Sequence, residues 1–238
     1  MPSFLGFFSL SRLPLILLIC SSIICAPSSF AQTQKQALQK TPSSPKSEDQ
    51  DKRQRLKKWQ EKMSSQGDLS VHWTQVQYKA LRKRSTTTQG KGYFSKPHYF
   101  LWDMTSKNQA WLFTGNQLIH MDRNTQKAMK YRATAGQGRE FLRFIALITQ
   151  FDDLTREYHI AQVSEDPTHL KLTLRPKLAG ELTEVRVNYL KKDAVIERIR
   201  MDFSGGNHTT LTFSQHRRSA IKTSFFTTPK DLKHIQVP

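Results

Sequence analysis

The sequence predicts a mainly β chain, an antiparallel and strongly curved sheet with helices laid over it. Three observations carry that expectation. Short runs of alternating apolar and polar residues recur at close spacing from Leu69 onward, separated by turn residues. The period changes to helical in two places, 48–66 and 138–149. One stretch, GKGYFSKPHYFLWDM from Gly90 to Met104, crowds Tyr93, Phe94, Tyr99, Phe100 and Trp102 around a Lys-Pro pair, more ring than one sheet face ordinarily hides.

Arg12, the apolar run LPLILLICSSII and the small-x-small triplet Ser29-Phe30-Ala31 read as a cleaved signal peptide over 1–31, too short for a comfortable membrane span. Export to the periplasm follows. The chain's two cysteines, Cys20 and Cys25, fall in the removed part, and each follows an isoleucine where lipid attachment favours a small residue. The exported chain is therefore expected to have no disulfide and no lipid anchor, and to draw its stability from burial in one domain, 48–238. Residues 32–47, polar and proline-containing without period, read as a flexible arm. The formal charge of +18 would point to nucleic acid in a cytoplasmic chain. Behind an export signal it points to anionic lipid head groups, lipopolysaccharide or acidic proteins.

In the first helix, acids lead (Glu48, Asp49, Asp51), as the macrodipole prefers, and Leu56, Trp59 and Met63 make one narrow apolar stripe. It packs on a sheet, or it is a movable lid over one. After Gly67 the period becomes two: Leu69, Val71 and Trp73 alternate, then the phase slips to Val76 and Tyr78, as one extra residue in a bulged strand would cause. Lys79 to Arg84 and the Ser-Thr-Thr-Thr run read as an exposed hairpin connection, solvated or in touch with a membrane or a partner. Pro97 cannot donate to a ladder, so the aromatic strand lies at an edge, bulges, or breaks there, with Lys96 at the break.

A meander follows: Ala110 to Phe113, a Gly115-Asn116 turn, Gln117 to Met121, a turn over 122–125, then Met129, Tyr131 and Ala133 in alternation. The second helix, 138–149, is apolar over most of its surface, at 141, 142, 144, 145, 147 and 148. Such a helix is a buried core element or a lid, with Arg139 and Arg143 on its edge. Strands resume at 157–163, 169–175, 182–190, 194–203, 207–215 and 221–226, several with one face buried and the other wet.

No catalytic apparatus is legible. The eight histidines are scattered without metal-ligand spacing, and there is no nucleophile elbow, phosphate loop or dinucleotide fingerprint. Asp152-Asp153 reads as a turn feature. No enzyme activity, metal or cofactor is expected. Nucleic acid is not expected as a partner, since the aromatics alternate with apolar residues and do not form an exposed stacking platform.

Gly92-Tyr93-Phe94, Lys96-Pro97 and Tyr99-Phe100-Leu101-Trp102 resemble the signature of the periplasmic outer-membrane lipoprotein carrier family (LolA-like): a Gly-x-apolar strand, Arg-Pro, and an aromatic segment ending in Trp. Trp111 to Ile119, Leu174-Arg175-Pro176-Lys177, Gly205-Gly206-Asn207 and Phe225-Phe226-x-x-Pro229 match the family's later markers, so the resemblance runs from about Gly67 to the C-terminus. The departure is Lys96 in the place of arginine, which keeps a charge and loses the planar fork.

The resemblance implies an open sheet, an unclosed barrel of the LolA/LolB kind, with helices 48–66 and 138–149 as a lid over its concave side. It implies a carrier of acylated lipoproteins, working between an inner-membrane lipoprotein-releasing transporter and an outer-membrane acceptor, with a monomer expected. Lys96 becomes the lid switch. Cavity or lid lining is expected from Leu56, Trp59, Met63, Phe94, Tyr99, Phe100, Trp102, Leu112, Phe141, Phe144, Ile145 and Ile148. The alternative is a basic envelope-binding or sensor module that uses the same fold to bind anionic lipid, lipopolysaccharide or a lipoprotein without transport.

Overall fold

The computed structural model describes residues 54–59, 61, 62, 65, 67–95, 99–115, 117–131, 154, 155 and 157–236. All of them belong to one unit, Asp49–Pro238. The signal peptide, the arm, the helix at 138–149, the Asp152-Asp153 pair and the Lys96-Pro97 break lie outside the described residues.

Twelve strands form a single sheet. In chain order they are β1 (Leu69–Lys79), β2 (Arg84–Ser95), β3 (Tyr99–Met104), β4 (Gln109–Thr114), β5 (Leu118–Asp122), β6 (Lys127–Tyr131), β7 (Tyr158–Glu165), β8 (His169–Pro176), β9 (Leu182–Leu190), β10 (Val195–Phe203), β11 (His208–Arg218) and β12 (Lys233–Gln236). Across the sheet the order is β12-β6-β5-β4-β3-β2-β1-β11-β10-β9-β8-β7. Neighbours run antiparallel except β12, which lies parallel to β6. Because β12 and β7 end the order without pairing to each other, the sheet is open, as expected. Residues 54–59 are helical. Among the described residues no helix is long and apolar enough to cross a membrane.

Curvature follows from distances between rings. Neighbouring strands are ~4.8 Å apart, so strands three places apart lie ~14 Å apart in a flat sheet. Trp102 on β3 and Phe213 on β11 are three places apart, yet their ring centroids are 6.1 Å apart. The face that carries them is the inward-curving one. By register it takes Trp111 from β4, Trp102 from β3, Trp73 from β1, Phe213 and Leu211 from β11, Ile199 from β10, Val187 and Tyr189 from β9, and Leu172 from β8. All of these are buried.

The outer face is divided. Over β8 to β10 it is polar and wet, with Arg186 on Glu184 at 2.7 Å and Arg200 on Asp202 at 2.9 Å. Over β4 to β6 it is apolar: Ala110, Leu112, Ile119, Met121 and Ala128 are covered by Phe226 and Leu232. This second core explains why every residue of β5 is buried, where a half-wet strand would alternate.

Three local expectations are corrected. The phase of β1 does not slip at Val76: Val71, Trp73 and Gln75 stay buried in alternation, and the bulge sits on β11, opposite Ser70 and His72, where Gln215 takes a φ of 51°. Serine and threonines 85–88 are not loop but the first half of β2, paired with β1, which leaves only Ala80–Lys83 as the hairpin tip. Residues 221–226 are not a strand. They hold a 3-10 turn, Thr223–Phe225, that brings Phe226 onto the outer core.

Candidate functional site

The centre of the inner face is built on two glycines. Gly90 and Gly92 of β2 stand opposite Trp73 and Val71 on one side, and Gly92 stands opposite Trp102 on the other. With no side chains between them, Trp73 and Trp102 stack across β2, centroids 4.4 Å apart and planes 11° from parallel. A Cβ at Gly90 would overlap the Asp103 carbonyl oxygen and reach 2.8 Å from Trp73 Cζ2; at Gly92 it would lie 3.1 Å from Val71 Cγ2. The Gly-Lys-Gly that opens the aromatic stretch is thus a slot for rings. Phe100 extends the row to Phe94, at 5.9 Å from Trp102 and 5.0 Å from Phe94.

Beyond Phe94 the row opens into a recess. Leu69, Val71, Phe94, Val195, Ile196 and Phe213 line it, with Ala194, His216 and Arg218 alongside. Arg218 donates to the carbonyl of Gly67 at 2.9 Å and to that of Ala194 at 3.3 Å, so one guanidinium ties the start of β1 to the β9–β10 turn. Burial lowers its pKa from the ordinary arginine value. His216 Nε2 lies 2.9 Å from the carbonyl of Ile196. The recess is therefore an apolar floor with a cationic, backbone-anchored corner.

The first helix sits on the same face. Leu56 and Trp59 are buried, Trp59 lies 5.9 Å from the ring of Tyr189, and Lys62 Nζ donates to the carbonyl of Lys191 at 2.8 Å. Burial raises the pKa of the Tyr189 hydroxyl.

Elsewhere the inner face is polar. Gln75, Thr88 and Thr209 are buried on three adjacent strands, and Trp73 Nε1, Gln75 Oε1 and Thr209 Oγ1 have no hydrogen-bond partner among the described residues. Toward β5, His120 is buried against Trp111, centroids 4.5 Å apart. Burial lowers its pKa to about 4, opposed by the nearby Asp122 carboxylate. Among the described residues no group of His, Cys, Asp and Glu is placed to hold a metal ion.

Of the residues expected to line a cavity or lid, the structure brings together Leu56, Trp59, Phe94, Phe100 and Trp102 on the inner face. Tyr99 and Leu112 are on the other side. Tyr99 packs 5.4 Å from Phe226, and Leu112 lies in the outer core. The reason is the two-residue period of a strand: Phe100 and Trp102 facing inward turn Tyr99 and Leu101 outward, and Leu112 pairs with Leu101. Met63, Lys96, Phe141, Phe144, Ile145 and Ile148 fall outside the described residues. Trp73, Trp111, Phe213, Tyr189 and Arg218 were missed. Alternation orders the residues within each strand, but only the pairing registers place Trp73 and Trp111 on the face of Trp102; no local signal marks Arg218.

The family model described as outer membrane lipoprotein carrier protein LolA matches residues 64–229. No curated protein matches the chain. Among solved structures, an uncharacterized conserved protein from Thermus thermophilus is 12% identical with a TM-score of 0.52, covering 78% of this chain and 99% of its own. A LolA superfamily protein from Nitrosomonas europaea is 11% identical with a TM-score of 0.42, covering 73% of this chain and 97% of its own. A DUF1329 family protein from Desulfovibrio piger is 11% identical with a TM-score of 0.44, covering 73% and 95%. At these identities the first likeness is one of fold.

Proposed function

The chain belongs to the outer membrane lipoprotein carrier protein LolA family, and from that membership we propose that it is a periplasmic carrier, sheltering the acyl chains of lipoproteins between the inner and the outer membrane. The observation that supports this reading is the inner face: an apolar wall of rings with a recess between Leu69, Phe94, Ile196 and Phe213, on a sheet left open along one side. Each methylene taken from water contributes about 0.8 kcal/mol, so an acyl chain held on such a wall can be kept out of a bilayer without any covalent step. Transfer also requires release. The wall is interrupted by the buried polar groups of Gln75, Thr88 and Thr209, which limits its complementarity to hydrocarbon. The chain's partners in this reading are acylated lipoproteins, a transporter that releases them and an acceptor that takes them. No catalysis is involved.

The test is release of labelled lipoprotein from inner-membrane vesicles into the soluble fraction, with and without the purified protein. A soluble complex is expected with the wild type. Phe94→Glu, which puts a carboxylate on the apolar recess wall, is expected to lose it with an unchanged circular dichroism spectrum. Phe94 suits this better than Phe100, which is 1% exposed and holds the ring row together. Lys96 keeps the switch role that family resemblance gives it, and Lys96→Arg is expected to tighten the empty form and slow cargo release. A protein that releases nothing while folding normally would end the carrier reading.

A further inference from the structure

The antiparallel order puts the connections of this sheet at two ends. β1, β3, β5, β8 and β10 all finish at one end, so the turns at 80–83, 105–108, 123–126, 177–181 and 204–207 share it. Two of the three exposed large apolar residues among the described residues stand there, on different turns: Leu81, 95% exposed at the tip of the β1–β2 hairpin, and Leu178, 62% exposed between β8 and β9. One exposed leucine is ordinary. Two at the same end, among cations, are not.

Around Leu81 stand Lys79, Arg82, Lys83 and Arg84; Lys107 lies on the adjacent β3–β4 turn, and Lys177 stands beside Leu178 on the β8–β9 turn of the same end. Arg82, Lys83, Arg84 and Lys107 have no acidic partner among the described residues. Acids stand at this end too: Asp122 is buried and accepts from the N–H groups of Asn124 and Thr125, Asp103 holds Arg123 at 3.0 Å, Asp202 holds Arg200 at 2.9 Å, and Glu157 and Glu181 stand at the β8–β9 turn. At the other end Asp166 holds Lys171 at 2.8 Å and Glu165 holds Lys191 at 2.7 Å. At that end acids hold some of the cations, whereas Arg82, Lys83 and Arg84 follow one another at the hairpin tip, beside an exposed leucine, with no acidic partner among the described residues.

We propose that this end is a docking rim for an anionic lipid bilayer. Leu81 and Leu178 enter the head-group region, and Lys79, Arg82, Lys83 and Arg84 meet lipid phosphates. One apolar anchor or one basic cluster alone binds a membrane weakly and reversibly; the two together make a surface that seats in a fixed orientation and still lets go. The rim is independent of whether the inner face carries acyl chains.

The test is co-sedimentation of the purified protein with phosphatidylcholine vesicles with and without phosphatidylglycerol, at low and high salt. The wild type is expected to pellet with the anionic vesicles at low salt, to be released by high salt, and to ignore neutral vesicles. Leu81→Ser with Leu178→Ser removes the apolar anchors without changing charge, and Arg82→Gln, Lys83→Gln and Arg84→Gln together remove charge without touching the leucines. The leucine pair is expected to lower partitioning about tenfold and the triple charge variant about a hundredfold. Lys192→Gln with Arg217→Gln, at the other end, is expected to leave it unchanged. A wild type that stays in the supernatant overturns the proposal, as does an other-end variant that loses as much as the rim variants. Retention on immobilised polyglutamate without vesicle binding would assign the rim to an acidic protein and overturn the lipid assignment.

Discussion

At Gly90 a single missing atom organises the inner face, because a methyl there would overlap the Asp103 carbonyl oxygen and push on Trp73. Overpacking of this kind costs about 1–3 kcal/mol, and more where backbone is the obstacle. Gly90→Ala is expected to lose about 3 kcal/mol in urea unfolding followed by tryptophan fluorescence, with a change in near-ultraviolet circular dichroism as the Trp73–Trp102 stack is displaced. His120 makes a prediction with a sign. Its folded pKa of about 4 lies below the ordinary 6.5, so between those values the unfolded chain binds the proton and the folded chain does not. The stability held by the neutral imidazole is full above the unfolded value and falls as pH drops toward the folded one, by up to about 3 kcal/mol. His120→Gln is expected to flatten the fall of Tm with acid relative to wild type; parallel curves would show that His120 does not govern it.

At the scale of elements, the C-terminal segment does two things that its own pattern does not announce. Phe226 and Leu232 cover the outer face of β4 to β6, and β12 then pairs in parallel with β6 and closes off that strand's edge. The adjacent phenylalanines should therefore differ. Phe226 is 3% exposed and Phe225 is 45% exposed, resting edge-on against Tyr93 at 4.8 Å. Phe226→Ala is expected to lose about 3–4 kcal/mol and Phe225→Ala under about 1 kcal/mol, read from urea midpoints at constant slope. Similar losses for both would mean that the segment grips the sheet differently. Among the described residues of the first helix, Leu56, Trp59 and the Lys62 bond to the Lys191 carbonyl attach it to the sheet.

On the scale of the whole molecule, the proposed carrier function links the stability of the open sheet to a ligand on its inner face. Anything held only by the folded face stabilises it by RT ln(1 + [L]/Kd), about 2.7 kcal/mol at a hundredfold excess over Kd. Adding a short-chain diacyl lipid is therefore expected to raise Tm with the logarithm of concentration in the wild type and much less in Phe94→Glu. A Tm indifferent to lipid in both would argue against a ligand on this face.

The mainly β class, most strand positions and the aromatic stretch at 90–104 were legible in the residues alone, because alternation and turn chemistry are local properties. Leu182–Leu190 is bounded as its pattern reads, and the Gly205-Gly206-Asn207 turn is where its glycines put it. Only the tertiary structure decided which side each aromatic serves. Tyr99 and Leu112 face the outer core, and Trp73, Trp111 and Phe213 face the inner one, because a strand's two faces are chemically alike in sequence until something covers each of them. The cover at β4 to β6 comes from Phe226 and Leu232, roughly a hundred residues away in the chain. Arg218 at the recess and the two leucines at one rim are likewise products of pairing across the sheet. A sequence specifies what each segment prefers; which segments meet is settled by the burial that the whole sheet achieves at once.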